Sequence, residues 1–263
     1  MKINALILAL LLAVTASLSL GCSAKETEAE AAPVIEELPV EETAEEVPQE
    51  TDAPAEEEFN YADLYIGVMN DLYNFILGSG EAMGWGGEIG IEEALYGNHG
   101  EESLNTVGYA IRDISGDGIP ELLIGGMPDP EYPEFKNTLY ALYSVVEGEP
   151  ICLFEGSARN AFFMMRDGLF LYQGSGGAMY SIVATYGISA DGSDLFCKDY
   201  YFTHEKDGNF EDIRIYHNTT GDWDPSVSEE TDLDPDGFWQ IYDELAAQLA
   251  DPGLAPISEY AVG

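Results

Sequence analysis

Four dipeptides punctuate the second half of the chain: Glu147-Gly148, Asp167-Gly168, Asp191-Gly192 and Asp207-Gly208. Around them lie short runs rich in Tyr, Phe, Ile, Val and Leu. An Xaa-Gly pair between apolar runs is a hairpin signal, because glycine enters the positive-φ backbone that tight hairpin turns require. The runs are Leu139–Val146, Ile151–Glu155, Ala161–Met165, Leu169–Gln173, Met179–Gly187, Asp194–Thr203 and Asp212–His217. Short strands at this spacing predict an antiparallel meander, as in a curled sheet or a propeller-like element.

Helical periodicity appears at both ends of this region. Leu64, Val68, Leu72, Phe75 and Ile76 recur at three- and four-residue steps and predict a helix over Tyr61–Leu77. Asn60 is placed to cap its start and Gly78 to end it. Ile91–Tyr96 reads as a second, short helix. Phe238–Leu249 reads as a closing helix with the stripe Phe238, Ile241, Tyr242, Leu245 and Leu249. Asp234 suits its N-cap and Pro235 its first position. The expected fold class is α+β, with an N-terminal and a C-terminal helix packed on an antiparallel β-meander.

Between the first helix and the meander stands Tyr109-Ala-Ile-Arg-Asp-Ile-Ser-Gly-Asp-Gly-Ile-Pro-Glu-Leu-Leu-Ile-Gly125. Two apolar runs, Val107–Ile111 and Leu122–Gly126, flank a loop carrying Asp113, Ser115, Asp117, Gly118 and Glu121. Oxygen-bearing side chains at alternate positions, followed by a glycine, suit a loop that wraps a hard cation. Ca²⁺ takes six to eight oxygen ligands, and Gly118 allows the sharp turn that presents them. The segment resembles the calcium-binding loop of FG-GAP and VCBS-type repeats, and more distantly dockerin and EF-hand loops. That resemblance implies ligation by Asp113, Ser115, Asp117 and Glu121 side chains and by the Ile119 carbonyl. Ser115 offers a neutral hydroxyl where those loops usually carry Asp or Asn, which implies weaker binding. Ile124 stands where an EF-hand has its bidentate glutamate, so a strand-loop-strand version is expected rather than helix-loop-helix. The alternative is a solvated turn in which Asp113 and Asp117 only hydrogen-bond the backbone. No second loop matches the first as well, which argues against a full propeller.

Asp232, Asp234, Asp236 and Gly237, with Asp243 further on, form another acidic series. A helix start explains it better, because acidic side chains favour the positive end of a helix dipole.

The chain carries 50 acidic against 9 basic residues. Such a surface repels nucleic acid and anionic headgroups and favours divalent cations and basic partners. The N-terminus reads as an export signal: Lys2, an apolar stretch Ile3–Leu18, then Leu18-Ser-Leu-Gly-Cys22. The junction resembles the lipobox of bacterial lipoproteins. This implies a signal peptide over 1–21, lipidation of Cys22 and anchorage at the extracellular face of the cell membrane. An ordinary secretory signal cleaved nearby is the other reading. Residues 22–58 follow as an acidic tether, rich in Glu, Ala and Pro and without an aromatic residue after Cys22. Such a segment buries too little to offset its ordering entropy. Residues 59–263 form the expected globular domain. The order of elements also resembles a group of uncharacterised surface lipoproteins of anaerobic Gram-positive bacteria, a likeness that implies no activity.

No HExxH or GxSxG motif is present, and His99, His204 and His217 are scattered. Ser175, in Gln173-Gly-Ser-Gly-Gly177, reads as a glycine turn. Cys152 and Cys197 either pair outside the cytosol or sit as small hydrophobes. Trp85 and Trp223 lie in glycine-containing loops, where aromatics stack on sugars or clamp peptides. The expected function is a non-catalytic, calcium-binding surface domain that binds cell-wall glycan or a surface protein, and no nucleic acid. A calcium-dependent polysaccharide hydrolase acting through acidic residues and a structural envelope protein are the alternatives.

Overall fold

Among the described residues, eleven strands make one antiparallel sheet, and three α-helices accompany it. The structure is a computed structural model and describes residues 60–79, 87–128 and 137–260. The signal segment, Cys22, the tether and Trp85 lie outside the described residues.

Asn60 caps a 3-10 turn over Tyr61–Tyr65 by accepting the Ala62 amide, and α1 (Ile66–Ile76) continues from it. The expected single helix over Tyr61–Leu77 therefore begins as a tighter turn. Gly78, at φ +71, ends it. Helix α2 spans Glu88–Leu95, and Tyr96 follows in the left-handed region, so it starts earlier than the apolar pattern suggests. Strands β1 (Val107–Arg112) and β2 (Glu121–Gly126) flank the acidic loop. The meander then runs through β3 (Thr138–Val146), β4 (Glu149–Glu155), β5 (Asn160–Met164), β6 (Phe170–Gly177), β7 (Tyr180–Ile188), β8 (Leu195–Lys206) and β9 (Asn209–Asn218). Each of the expected runs is a strand. Glycines 148, 168, 192 and 208 take φ between +69 and +86 at the turns between them, as the dipeptides predict. Two-residue strands close the order: β10 (Glu229–Glu230) beside β9 and β11 (Ala255–Pro256) beside β1. Helix α3 (Pro235–Ala246) precedes β11, with Asp234 as its N-cap accepting the Gly237 amide.

Strand β3 is shared on one side by two partners: Ala141–Val146 pair with β4, and Thr138 and Leu139 pair with β5. Alternation along the strands then divides the core. Leu122 and Ile124 face the cluster that holds Tyr65, Met69, Leu72 and Ile91 of the first helices, whereas Leu123 faces the opposite cluster. In β5, Phe162 belongs to that opposite cluster. Phe163 turns to the helix side, where Phe238 of α3 packs with Leu171 and Val183. All three helices thus cover one face. On the other face, Ile188 at the end of β7 joins Ala110, Leu123 and Leu142 of β1, β2 and β3 in one cluster. Packing of sequence-distant strands on the same face means that the sheet curls. The turn from β7 to β8 is carried over the start of β2.

Candidate metal centre

The acidic loop joins β1 to β2 in tight register, with Arg112 opposite Glu121. Its side chains first organise its own backbone. Asp113 accepts the Gly116 amide at Oδ1 (2.7 Å) and the Gly118 amide at Oδ2 (3.2 Å). Both glycines sit at positive φ, +80 and +90, where a Cβ would be strained. Ser115 Oγ accepts the Asp117 amide at 3.3 Å, and Asp117 Oδ1 accepts the Ile119 amide at 2.7 Å. The Ile119 side chain packs against the helix-side core. Glu121 Oε2 accepts the amides of Ile114 (2.6 Å) and Ser115 (3.2 Å). Tyr65 ties the loop to the end of the 3-10 turn by donating to the Pro120 carbonyl at 2.7 Å. Burial, then the charges of Glu121 and Asp117, push the Tyr65 hydroxyl far above its ordinary value.

One atom is left over. Glu121 is 0% exposed, and its Oε1 has no hydrogen-bond partner among the described residues. An unpartnered buried carboxylate oxygen is costly unless something positive meets it. Asp117 Oδ2 and the hydroxyl of Ser144 lie on the same side. A Cβ built on Gly192 would stand 3.8 Å from Glu121 Oε1, 3.0 Å from Asp117 Oδ2 and 2.8 Å from Ser144 Oγ. Ser144 is 1% exposed and comes from β3, where the Leu122–Tyr143 pairing sets it next to Glu121. Gly192 is the buried residue of the Ser189–Asp194 turn.

The donor set is two carboxylates and a hydroxyl, all hard oxygens, which fits Ca²⁺ better than a soft or imidazole-seeking metal. Among the described residues no three His, Cys, Asp or Glu side chains gather at one point. Of the five residues expected as ligands, Asp117 and Glu121 converge. Asp113, Ser115 and Ile119 shape the turn around them. Ser144 was not foreseen. Its only signal is strand register, which no local spacing displays.

The neighbouring turn is itself built on a carboxylate. Asp191 Oδ1 accepts from the hydroxyls of Ser189 (2.6 Å) and Ser193 (2.7 Å) and from the Ser193 amide (3.2 Å). These donors hold its carboxyl at about 2, below the ordinary 3.8.

The remaining sequence candidates fall elsewhere. Asp234 is a helix cap. His99, His204 and His217 each meet one carboxylate, Glu92, Glu205 and Asp199 respectively. Ser175 Oγ bonds Gly177 O at 3.3 Å, as a turn serine does. Cys152 on β4 and Cys197 on β8 are both free thiols. Asn218 spends its amide on Asp222 O and Ser228 Oγ, both at 2.8 Å, and so anchors the loop that follows it. The loop it anchors carries Trp223, 40% exposed, over Gly176. A Cβ at Gly176 would lie 2.5 Å from Cη2 of the indole, so glycine is needed there. Tyr180 and His204 meet the indole edge-on at 5.2 and 6.0 Å, and Tyr180 donates to Glu205 at 2.9 Å. Trp239 packs on Phe238 and Tyr242 at the edge of α3. No helix among the described residues is long and apolar enough to cross a membrane.

Comparison with known proteins gave no match: no family model, no curated protein and no solved structure aligns with the chain.

Proposed function

We propose that the chain is a calcium-binding α+β surface domain, held at the extracellular face of the membrane by lipid on Cys22 and acting as a binding module rather than an enzyme. One observation carries the calcium assignment. A fully buried carboxylate, Glu121, turns an unpartnered oxygen toward the same point as Asp117 Oδ2. A carboxylate buried as Glu121 is, with a second carboxylate nearby and one oxygen unpartnered, is costly unless a cation neutralises it. The resemblance of Asp113–Glu121 to FG-GAP, VCBS and dockerin-type loops supports the same reading. So does the strand-loop-strand setting.

Calcium here is structural. It pins the loop to β2, and it stabilises by binding the folded chain better than the unfolded one. A hydrolase acting through Glu121 is disfavoured, because Glu121 has no exposed surface with which to reach a glycosidic oxygen. The binding face we favour surrounds Trp223. An indole plane stacks on the C–H face of a sugar, while Glu205 and His204 beside it offer polar partners for hydroxyls. Cell-wall glycan is the ligand class this suits.

The test is a thermal melt of residues 23–263 in EDTA, in millimolar magnesium and in millimolar calcium, the range of extracellular modules. A rise of several degrees in calcium alone is expected. Identical melts in all three buffers would reduce the loop to a turn.

A further inference from the structure

The acidic loop does not enclose its own cation position. Asp113 and Ser115 are turned onto the loop backbone. Three oxygens, from Asp117, Glu121 and Ser144, lie within 3.8 Å of the position a Cβ would take on Gly192. These residues belong to two hairpin systems that are far apart in sequence: the β1–β2 loop with β3, and the β7–β8 turn. We propose that the cation is held between these two systems, with Ser144 as a further ligand and Gly192 as the residue whose missing side chain leaves room for it. The inference rests on the calcium reading and adds to it a ligand and a steric determinant outside the linear motif.

Three independent facts support it. Ser144 is a polar residue almost wholly buried in a strand whose neighbours are apolar, and its hydroxyl lies 2.8 Å from the same Gly192 Cβ position that Asp117 Oδ2 and Glu121 Oε1 approach. Gly192 is buried although it lies in a hairpin turn, where other acid–glycine turns such as Asp207-Gly208 leave the glycine exposed. The Ser189–Asp194 turn is locked by its own hydroxyls onto Asp191, so Gly192 is presented in one fixed place. A methyl group at Gly192 would sit 2.8 to 3.8 Å from all three oxygens and take the volume a cation and its water need. A small cation site tolerates no such intrusion, because Ca²⁺ must approach its ligands to 2.3–2.6 Å.

Occupancy then has a mechanical result. Calcium would close the β7–β8 turn onto the start of β2, joining parts of the sheet that share only side-chain packing.

The experiment is a calcium titration by calorimetry on chelator-stripped residues 23–263, as wild type and as Ser144→Ala, Gly192→Ala and Gly208→Ala. Gly208→Ala is the control for backbone strain, because Gly208 has φ +74 and open space around its Cβ position, against φ +69 at Gly192. Loss of a supporting ligand or its space is expected to weaken binding about tenfold or more in Ser144→Ala and Gly192→Ala. Gly208→Ala should bind like wild type. Unchanged affinity in both site variants, with wild type binding, overturns the two-hairpin site and leaves the calcium reading standing. No binding by folded wild type overturns both. If Gly192→Ala fails to fold, amide exchange on wild type decides. Calcium should slow exchange at Gly192 and Asp194 as well as in the 113–121 loop. Slowing confined to the loop overturns the inference.

Discussion

The hydroxyl of Tyr65 lies 2.7 Å from the carbonyl of Pro120 and is the bond that links the first helical turn to the acidic loop. Tyr65 is fully buried, so this bond is shielded from water. Tyr65→Phe keeps the ring and removes the donor. A net loss of about 1 kcal/mol is expected, with the Pro120 carbonyl left unsatisfied. Chemical denaturation should show the loss with and without calcium, and calcium affinity should fall with it. An unchanged midpoint would mean that the loop is positioned without the helix.

Glu121 serves two masters: Oε2 holds backbone amides, and Oε1, unpartnered, lies 3.8 Å from the Gly192 Cβ position. Glu121→Gln preserves an acceptor for the amides and removes the charge. In EDTA the variant should be at least as stable as wild type, because the charge of a fully buried carboxylate is gone. In calcium at a hundredfold excess over Kd, wild type should gain about 2.7 kcal/mol that the variant lacks. Equal destabilisation in both buffers would show that the carboxylate works only for the backbone.

Asp191 sets a pH window. Its folded carboxyl sits at about 2 against an ordinary 3.8, lowered chiefly by the Ser189 and Ser193 hydroxyls. A depressed folded value means the turn's contribution is complete above about pH 4 and is lost as pH falls toward 2. Carboxyl NMR of Asp191 should therefore show its midpoint near the lower figure. A midpoint near the ordinary value would mean that the hydroxyl pair does not persist in solution.

Asn218 is 8% exposed and makes bonds in both directions, donating to Asp222 O and Ser228 Oγ and accepting the Thr220 and Gly221 amides. Asn218→Ala should cost about 1 kcal/mol or more, since the bonds that one buried side chain makes to partly exposed groups of its loop are lost together. Trp223 hangs on the same loop. If that loop carries the glycan face, the variant should lose binding of soluble cell-wall glycan fragments as Trp223→Ala does. Retained binding in Trp223→Ala would exclude the indole as the platform.

Cys22→Ser is expected to release the chain from the membrane fraction into the medium in a host that lipidates exported proteins. Retention on the membrane would remove the lipid anchor from the proposal.

Local signals located the strands well. The seven apolar runs of the meander and their Xaa-Gly turns were readable because alternation and positive-φ turns are properties of neighbouring residues. Asp234 and Asn60 were readable as caps for the same reason. The curl of the sheet was not, because it shows only in Ile188 sharing a cluster with Leu123 and Leu142, which lie far away in the chain. The site was half legible on the same account. Spacing pointed to Asp117 and Glu121. Ser144 and Gly192 join them only through register and curl. The pattern also ranked Asp113 as a ligand; its oxygens accept the amides of Gly116 and Gly118, one each, so it shapes the turn and keeps further lone pairs.

The sheet's ends have a consequence for how copies behave when brought together. One end of the strand order is β10, two adjacent glutamates, and the other is β11, whose Pro256 lacks an amide donor. Strand β4, which pairs only with β3 among the described strands, carries Pro150 and a glutamate at each end. Among the described residues these three margins are short, charged or missing a donor, features that hinder edge-to-edge growth. A chain with this many hydrophobic strands can therefore be displayed at high density without its sheets fusing into one another.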